Sequence, residues 1–265
     1  MKARAPEPVR AGGSVPLALT LWLAGCAALS AVYGLQSFYM TRIGALSNLF
    51  SVVCVAIALG SAIQCINRYG YTLRTKFQAA WICFTVGFVL WTAAETIWAT
   101  YYFALGVAVP NYSLADVFYS SGYLPIFAGL VLYLDAFSVA LEKKRVAVVA
   151  AVMVLAAAAV YFTVLPTEAA AGRTVLETID NMTFVFLDLV FLTLVVITFT
   201  IFMGGRISKW LMFMGGAAVL YVIGDEDFMI QTATGTYYNG SYNDLIFLLA
   251  YLTFALAFYL HRREW

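Results

Sequence analysis

Two segments of this chain repeat one arrangement of carboxylates among aromatics. The first has Leu90, Trp91, Ala94, Glu95 and Trp98, and the second has Leu220, Tyr221, Gly224, Asp225 and Phe228 at the same spacing. Each is followed by a polar turn and a further segment: Ser113, Asp116, Tyr119 and Tyr123 in the first copy, Ser241, Asp244, Phe247 and Tyr251 in the second. Carboxyl oxygens from Glu95, Asp116, Asp188, Asp225 and Asp244 would suit a hard divalent cation or a protonated amine. The chemistry that these residues offer is therefore cation or small-ligand binding rather than bond making.

The elements that must hold them are membrane helices. Of the residues, 63% are hydrophobic and 11% charged, with a mean hydropathy of +0.88; soluble domains carry roughly a quarter charged residues. Apolar runs of the length that crosses a hydrocarbon core, about 20 residues, fall at 15–35, 43–66, 77–104, 117–140, 146–165, 182–204, 209–232 and 243–261. The expectation is an all-α, polytopic helical bundle of eight transmembrane helices in the plasma membrane.

Lys and Arg are retained on the cytoplasmic side. With the N-terminus inside, the inner connections hold thirteen of the fifteen basic residues, leaving Arg42 and Arg173 outside. Both termini are therefore expected in the cytoplasm, and topology explains the basic residues without nucleic acid. The organisation reads as a cytoplasmic tail at 1–14, a first four-helix half at 15–141, a basic linker at 142–145 and a second half at 146–265. Four helices separate the copies, an even number, so the halves are parallel repeats and not inverted ones. The match is clear only for the last two helices of each half.

The N-terminal run also admits a different reading. Lys2, Arg4 and Arg10 ahead of an apolar stretch describe a signal peptide, and Leu23, Ala24, Gly25 and Cys26 match a lipidation box. The apolar chain after Cys26 argues instead for a first transmembrane helix. Cys54, Cys65 and Cys83 lie within helices without Cys-x-x-Cys spacing and read as buried small hydrophobes.

Depth follows from the helical rise. Glu95 is nineteen residues beyond Lys76, roughly 28 Å along the axis, and Asp225 is sixteen beyond Lys209, roughly 24 Å. Asp116 and Asp244 open descending helices from the same surface, and Asp188 sits two turns below Asp180 at the outer start of helix six. With Glu226 and Asp227, half of the fourteen acids gather at one level. Trp91, Glu95, Trp98 and Tyr102 recur at intervals that stack them on one helical face, as do Asp116, Tyr119 and Tyr123. Ionisable groups within spans face the bundle interior or a watery cavity. The expected ligand-binding set is thus Trp91, Glu95, Trp98, Tyr102, Asp116, Tyr119, Tyr123, Asp188, Tyr221, Asp225, Phe228, Asp244 and Tyr251.

Structural roles compete for some of these residues. Ser113 with Asp116, and Ser241 with Asp244, are Ser-x-x-acid patterns that cap helix starts. The aromatics also suit an interfacial belt. Glu95 and Asp225, deep within helices, do no capping.

Trp91, Glu95, Trp98, Tyr101, Gly106 and Pro110, followed by Ser113, Leu114, Ala115, Asp116, Val117, Phe118, Tyr119, Gly122, Tyr123 and Gly129, resemble a multi-pass membrane sensor module. That module precedes diguanylate cyclase, PAS or histidine kinase domains in prokaryotic signalling proteins. The resemblance is strongest over 85–135, with an echo over 215–255. Tyr112 stands where the family commonly has proline. The resemblance implies a sensory role, without specifying a ligand. After the last helix only His261 to Trp265 remain, so signalling is expected to pass through a protein partner.

Other chemistry finds little material. The one histidine, His261, reads as a solvated helix end, which disfavours haem and histidine-rich metal sites. Lysine is missing from the mid-membrane positions a retinal Schiff base needs, and no Walker, dinucleotide or nucleophile-elbow motif occurs. The chain reads as a non-enzyme without a cofactor. Binding of a small cationic or aromatic-compatible ligand, or of a lipid, is the expectation; a transporter and a non-catalytic subunit of a larger membrane complex are the alternatives.

Overall fold

Helix boundaries follow the local chemistry of the turns. In this computed structural model, which describes residues 14–110, 112–137, 143–202 and 208–264, eight α-helices succeed one another. They are α1 (Ser14–Gly34), α2 (Met40–Tyr69), α3 (Lys76–Thr100), α4 (Leu114–Ala136), α5 (Lys143–Ala170), α6 (Val175–Phe202), α7 (Ser208–Thr234) and α8 (Tyr242–Glu264). The backbone amide of Gln78 donates to the Thr75 hydroxyl at the start of α3, and the Ser113 amide donates to the Asp116 carboxylate at the start of α4, 2.7 Å away. Both relieve helix amides that lack an intrahelical partner. A π-helical turn, Tyr101–Leu105, ends α3. Most of the expected tail and Glu142 of the expected linker lie outside the described residues.

Seven of the eight helices are long and apolar enough to cross a membrane; α7 is the exception among the described residues. Lys209 at one end and Asp225, Glu226 and Asp227 toward the other shorten its apolar stretch. Its polar burden is accommodated by neighbours, since α7 packs against α5, α6 and α8. The central packing runs α2–α3–α4 and α6–α7–α8, joined where α2 meets α8 and α4 meets α6; α1 leans on α8, and α5 on α6 and α7.

Between helices in lipid the hydrophobic effect supplies little, and close approach of small residues does the holding. The α3–α4 seam is built this way. A Cβ added at Gly87 would stand 2.9 Å from the Gly122 carbonyl oxygen, and one at Gly129 would stand 2.8 Å from the Phe84 ring. Along the bundle axis Trp81, Phe84, Phe88, Phe254 and Phe258 are fully buried and pack edge on.

The end of the bundle carrying Arg68, Lys76, Lys143, Lys209 and Arg262 differs from the sequence expectation in one respect. His261 is not solvated; its exposure is 0%. Its Nδ1 is 2.7 Å from the Tyr69 hydroxyl and its Nε2 3.1 Å from the Tyr133 hydroxyl, so that α8 is tied to α2 and α4. Trp81 and Trp210 close over the ring with centroids 4.5 and 4.7 Å away. A helix terminus counted from the chain end looks solvated, but here α2, α3, α4 and α7 converge on it. His261→Ala is expected to lower unfolding stability by about 2–4 kcal/mol, the scale of large-to-small core substitutions. A thermal unfolding curve in detergent checks this, and an unchanged midpoint would show the cluster to be dispensable. Cys54 and Cys65 are buried as expected, whereas Cys83 is only partly so.

Candidate functional site

The opposite end collects the acids. Between α2, α3, α4, α6, α7, α8 and the α7–α8 loop lies a cavity of ≈ 100 Å³. It adjoins a wider vestibule of ≈ 410 Å³, with Trp98, Asp116, Asn181, Phe228, Tyr237 and Asn239 in the walls of both. Of the residues expected from sequence, Glu95, Trp98, Asp116, Tyr119, Tyr221, Asp225, Phe228, Asp244 and Tyr251 line the cavity.

The remaining four lie elsewhere. Trp91, fully buried, stacks on Tyr221 with centroids 4.4 Å apart and planes 2° from parallel, forming the floor. Tyr123 and Asp188 lie against that floor, away from the cavity surface, and both are 0% exposed. Tyr102 is not among the residues that line the cavity. The π-helical turn breaks the α-helical register, and the Tyr102 hydroxyl settles over Gly44 of α2, 3.0 Å from where a Cβ there would be.

Two hydrogen bonds cross between the sequence copies. The Tyr251 hydroxyl of the second copy donates to Glu95 Oε1 of the first at 2.7 Å, and Tyr123 of the first donates to Asp225 Oδ2 of the second at 2.8 Å. The paired rings Trp91 and Tyr221, also equivalent positions, meet face to face between them. Tyr123 additionally lies 2.5 Å from Asp188 Oδ1. A phenol has one O–H to give. One hydroxyl therefore links the carboxyls of Asp188 on α6 and Asp225 on α7.

The two helix-start acids behave differently. Asp116 accepts from both the amide and the hydroxyl of Ser113, as the Ser-x-x-acid pattern leads one to expect. Asp244 instead accepts from the Gly240 amide at 2.7 Å, the Ser47 hydroxyl at 2.6 Å and the Tyr237 hydroxyl at 3.1 Å. The Ser241 hydroxyl is buried without a hydrogen-bond partner among the described residues, so it does not cap α8. Gly240, at φ 95°, lies in the left-handed region that favours glycine, and this aims its amide at Asp244. Burial and the Asp244 carboxylate hold the Tyr237 phenol well above its usual range, which keeps it a donor.

Sequence reasoning missed Ser47, Asn48, Asp180, Asn181, Tyr237 and Asn239, all in the cavity wall. Ser47 and Asn48 lie on α2, for which the repeat offered no counterpart, and Tyr237 and Asn239 belong to the turn after α7. Asn239 Oδ1 accepts from both Trp98 Nε1 and Asn48 Nδ2, at 3.3 and 3.2 Å. In the vestibule wall Arg173 is neutralised by Glu168 in a buried pair at 2.7 Å. No group of three or more His, Cys, Asp or Glu residues is placed to hold a metal ion among the described residues. The carboxylates are spread around the wall, and serine, tyrosine and backbone donors already occupy several of their oxygens. A divalent cation therefore finds no ready cage among the described residues, and the arrangement is a polar, aromatic-walled cavity.

Comparison with protein-family models, curated proteins and solved structures finds no match for this chain.

Proposed function

We propose that this chain is a sensor-like integral protein of a prokaryotic plasma membrane, with eight spans in two parallel four-helix repeats and both termini cytoplasmic. In this reading the cavity faces outward, binds a small ligand and signals through a partner protein. The observation that carries the proposal is the reciprocal pair of hydrogen bonds, Tyr251 to Glu95 and Tyr123 to Asp225. Glu95 and Asp225, two of the five acids in the wall, are each already held by a tyrosine from the other half. A ligand that competes for either carboxylate changes how α8 or α4 is held.

The inward route follows α8. It carries Asp244 and Tyr251 at the cavity and His261 at the basic end, where it is tied to Tyr69 and Tyr133. A small displacement of α8 would therefore be felt by α2 and α4 at the far side. The floor of Trp91 and Tyr221, with Phe88, Phe254 and Phe258 packed beneath, favours binding over passage of a solute. The distribution of Lys and Arg supports the orientation, and the crossed contacts support the repeat.

Purification of the full chain from native membranes into nanodiscs, followed by mass spectrometry, tests this proposal. A small molecule retained by the native protein and lost with Glu95→Gln is the expected result. Stoichiometric partner subunits without any ligand would make the chain a structural component of a complex. Orientation has its own check. Tyr112→Cys, exposed at the acid end, should react with an impermeant maleimide on intact cells, and Tyr71→Cys, exposed at the basic end, should not; the reverse labelling would invert the topology.

A further inference from the structure

One unmatched buried acceptor and the acids around it bear on the ligand class. Several donors in the cavity wall are committed to protein acceptors, Ser47 and Tyr237 to Asp244, Tyr251 to Glu95, Trp98 to Asn239, and the Asn181 amide to Glu168, while Ser51, Tyr119 and Tyr221 also line it. The Asn48 amide nitrogen is likewise taken, by the Gly44 carbonyl and Asn239. Its oxygen is not. Asn48 is 3% exposed, lines the cavity, and its Oδ1 has no hydrogen-bond partner among the described residues. A buried acceptor left unmatched is costly, so the missing partner is an N–H or O–H brought from outside.

Charge and ring geometry narrow the choice. Five acids line the cavity, Asp180 among them, and no Lys, Arg or His does among the described residues. An anion is excluded by repulsion, and a neutral donor leaves the carboxylates uncompensated. At the mouth Trp98, Phe228 and Tyr237 stand mutually edge on, with centroids 4.8 to 6.5 Å apart. Aromatic faces of this kind attract an alkylammonium group. We infer that the cavity binds a primary ammonium, its N–H bonds directed at Asn48 Oδ1 and the wall carboxylates and its carbon chain against the three rings. This rests on the binding role proposed above. The ammonium belongs either to a free amine or to the headgroup of an amine-bearing lipid.

The test uses full-length protein in nanodiscs, with thermal unfolding and calorimetric titration as readouts. The probes are 1,4-diaminobutane, tetramethylammonium, acetate, neutral benzyl alcohol and magnesium chloride. Saturable binding of 1,4-diaminobutane is expected, at least tenfold tighter than tetramethylammonium, which has no N–H to give. Asp180→Asn should weaken it several-fold while leaving the unliganded unfolding midpoint unchanged. If the amine binds equally in phosphatidylglycerol discs and in discs containing phosphatidylethanolamine, the ligand is soluble; if the ethanolamine lipid displaces it, the lipid is the ligand. Saturable, Glu95-dependent binding of acetate or benzyl alcohol in place of the amine would overturn the ammonium inference and leave the binding role standing. Equal affinity for tetramethylammonium and the diamine would overturn the role given to Asn48. Binding of none of the probes, with no copurified ligand, would overturn both readings.

Discussion

Glu95→Gln is expected to abolish the ligand response while the protein still folds and inserts, and Asp225→Asn is expected to do the same. Each substitution keeps the shape of the side chain and a carbonyl oxygen, so the Tyr251 and Tyr123 hydroxyls retain an acceptor. What disappears is the ionisable carboxyl at the cavity wall, together with the charge-assisted hydrogen bond that it would make with a cationic ligand. Hydrogen bonds to charged groups contribute about 1.5–3 kcal/mol, which corresponds to roughly a ten- to hundred-fold loss of affinity for each site. The measurement is ligand retention and response in the variants, beside gel-filtration profile and unfolding midpoint. If either variant fails to insert or aggregates, the acids serve as polar contacts between helices. Asp225 is the more exposed to that outcome, because it shares Tyr123 with the fully buried Asp188.

Gly122→Leu should have the larger effect on folding. A Cβ at this position would stand 2.4 Å from Trp91 Cδ1 and 2.6 Å from Nε1, closer than any real contact. Trp91 has no room to retreat. It is fully buried, stacked on Tyr221, and its Nε1 donates to the Tyr119 carbonyl at 3.1 Å. The substitution must therefore part α3 from α4 or break the stack under the cavity. Overpacking of this kind costs about 1–3 kcal/mol, and more where nothing yields; the upper end is expected here, seen as a large fall in monodisperse yield and unfolding midpoint. Adding Trp91→Ala to Gly122→Leu should recover part of the loss. A wild-type midpoint for the single variant would mean that the two helices do not meet at this glycine.

These two variants also separate what was readable in the sequence from what was not. Glu95 and Asp225 stood out because carboxylates deep in apolar runs have few neutral explanations, and nine of the expected residues do line one cavity. Asn48 and Asn239 carried no such signal, since polar residues in α2 and in a turn are common. Their importance arises only when α2, α3 and the α7–α8 turn bring Asn48, Trp98 and Asn239 together. Periodicity assumes an uninterrupted α-helix, whereas Tyr102 lies in the π-helical turn Tyr101–Leu105 and its hydroxyl reaches Gly44 of α2.

By itself the sequence indicated an all-α chain of eight helices, through the length of its apolar runs, while several ends differ from those runs, α6 beginning at Val175 and not at 182. The spacing of its two copies also indicated which acids share a level. Only the tertiary structure decided that the copies exchange tyrosine contacts, that His261 is enclosed and not solvated, and that five acids share one cavity wall with no Lys, Arg or His among the described residues. Helix formation depends on neighbours three and four residues away, which a sequence displays directly. Crossed contacts and burial depend on which faces of distant helices approach, and that is settled by the packing of small and aromatic side chains between segments more than a hundred residues apart.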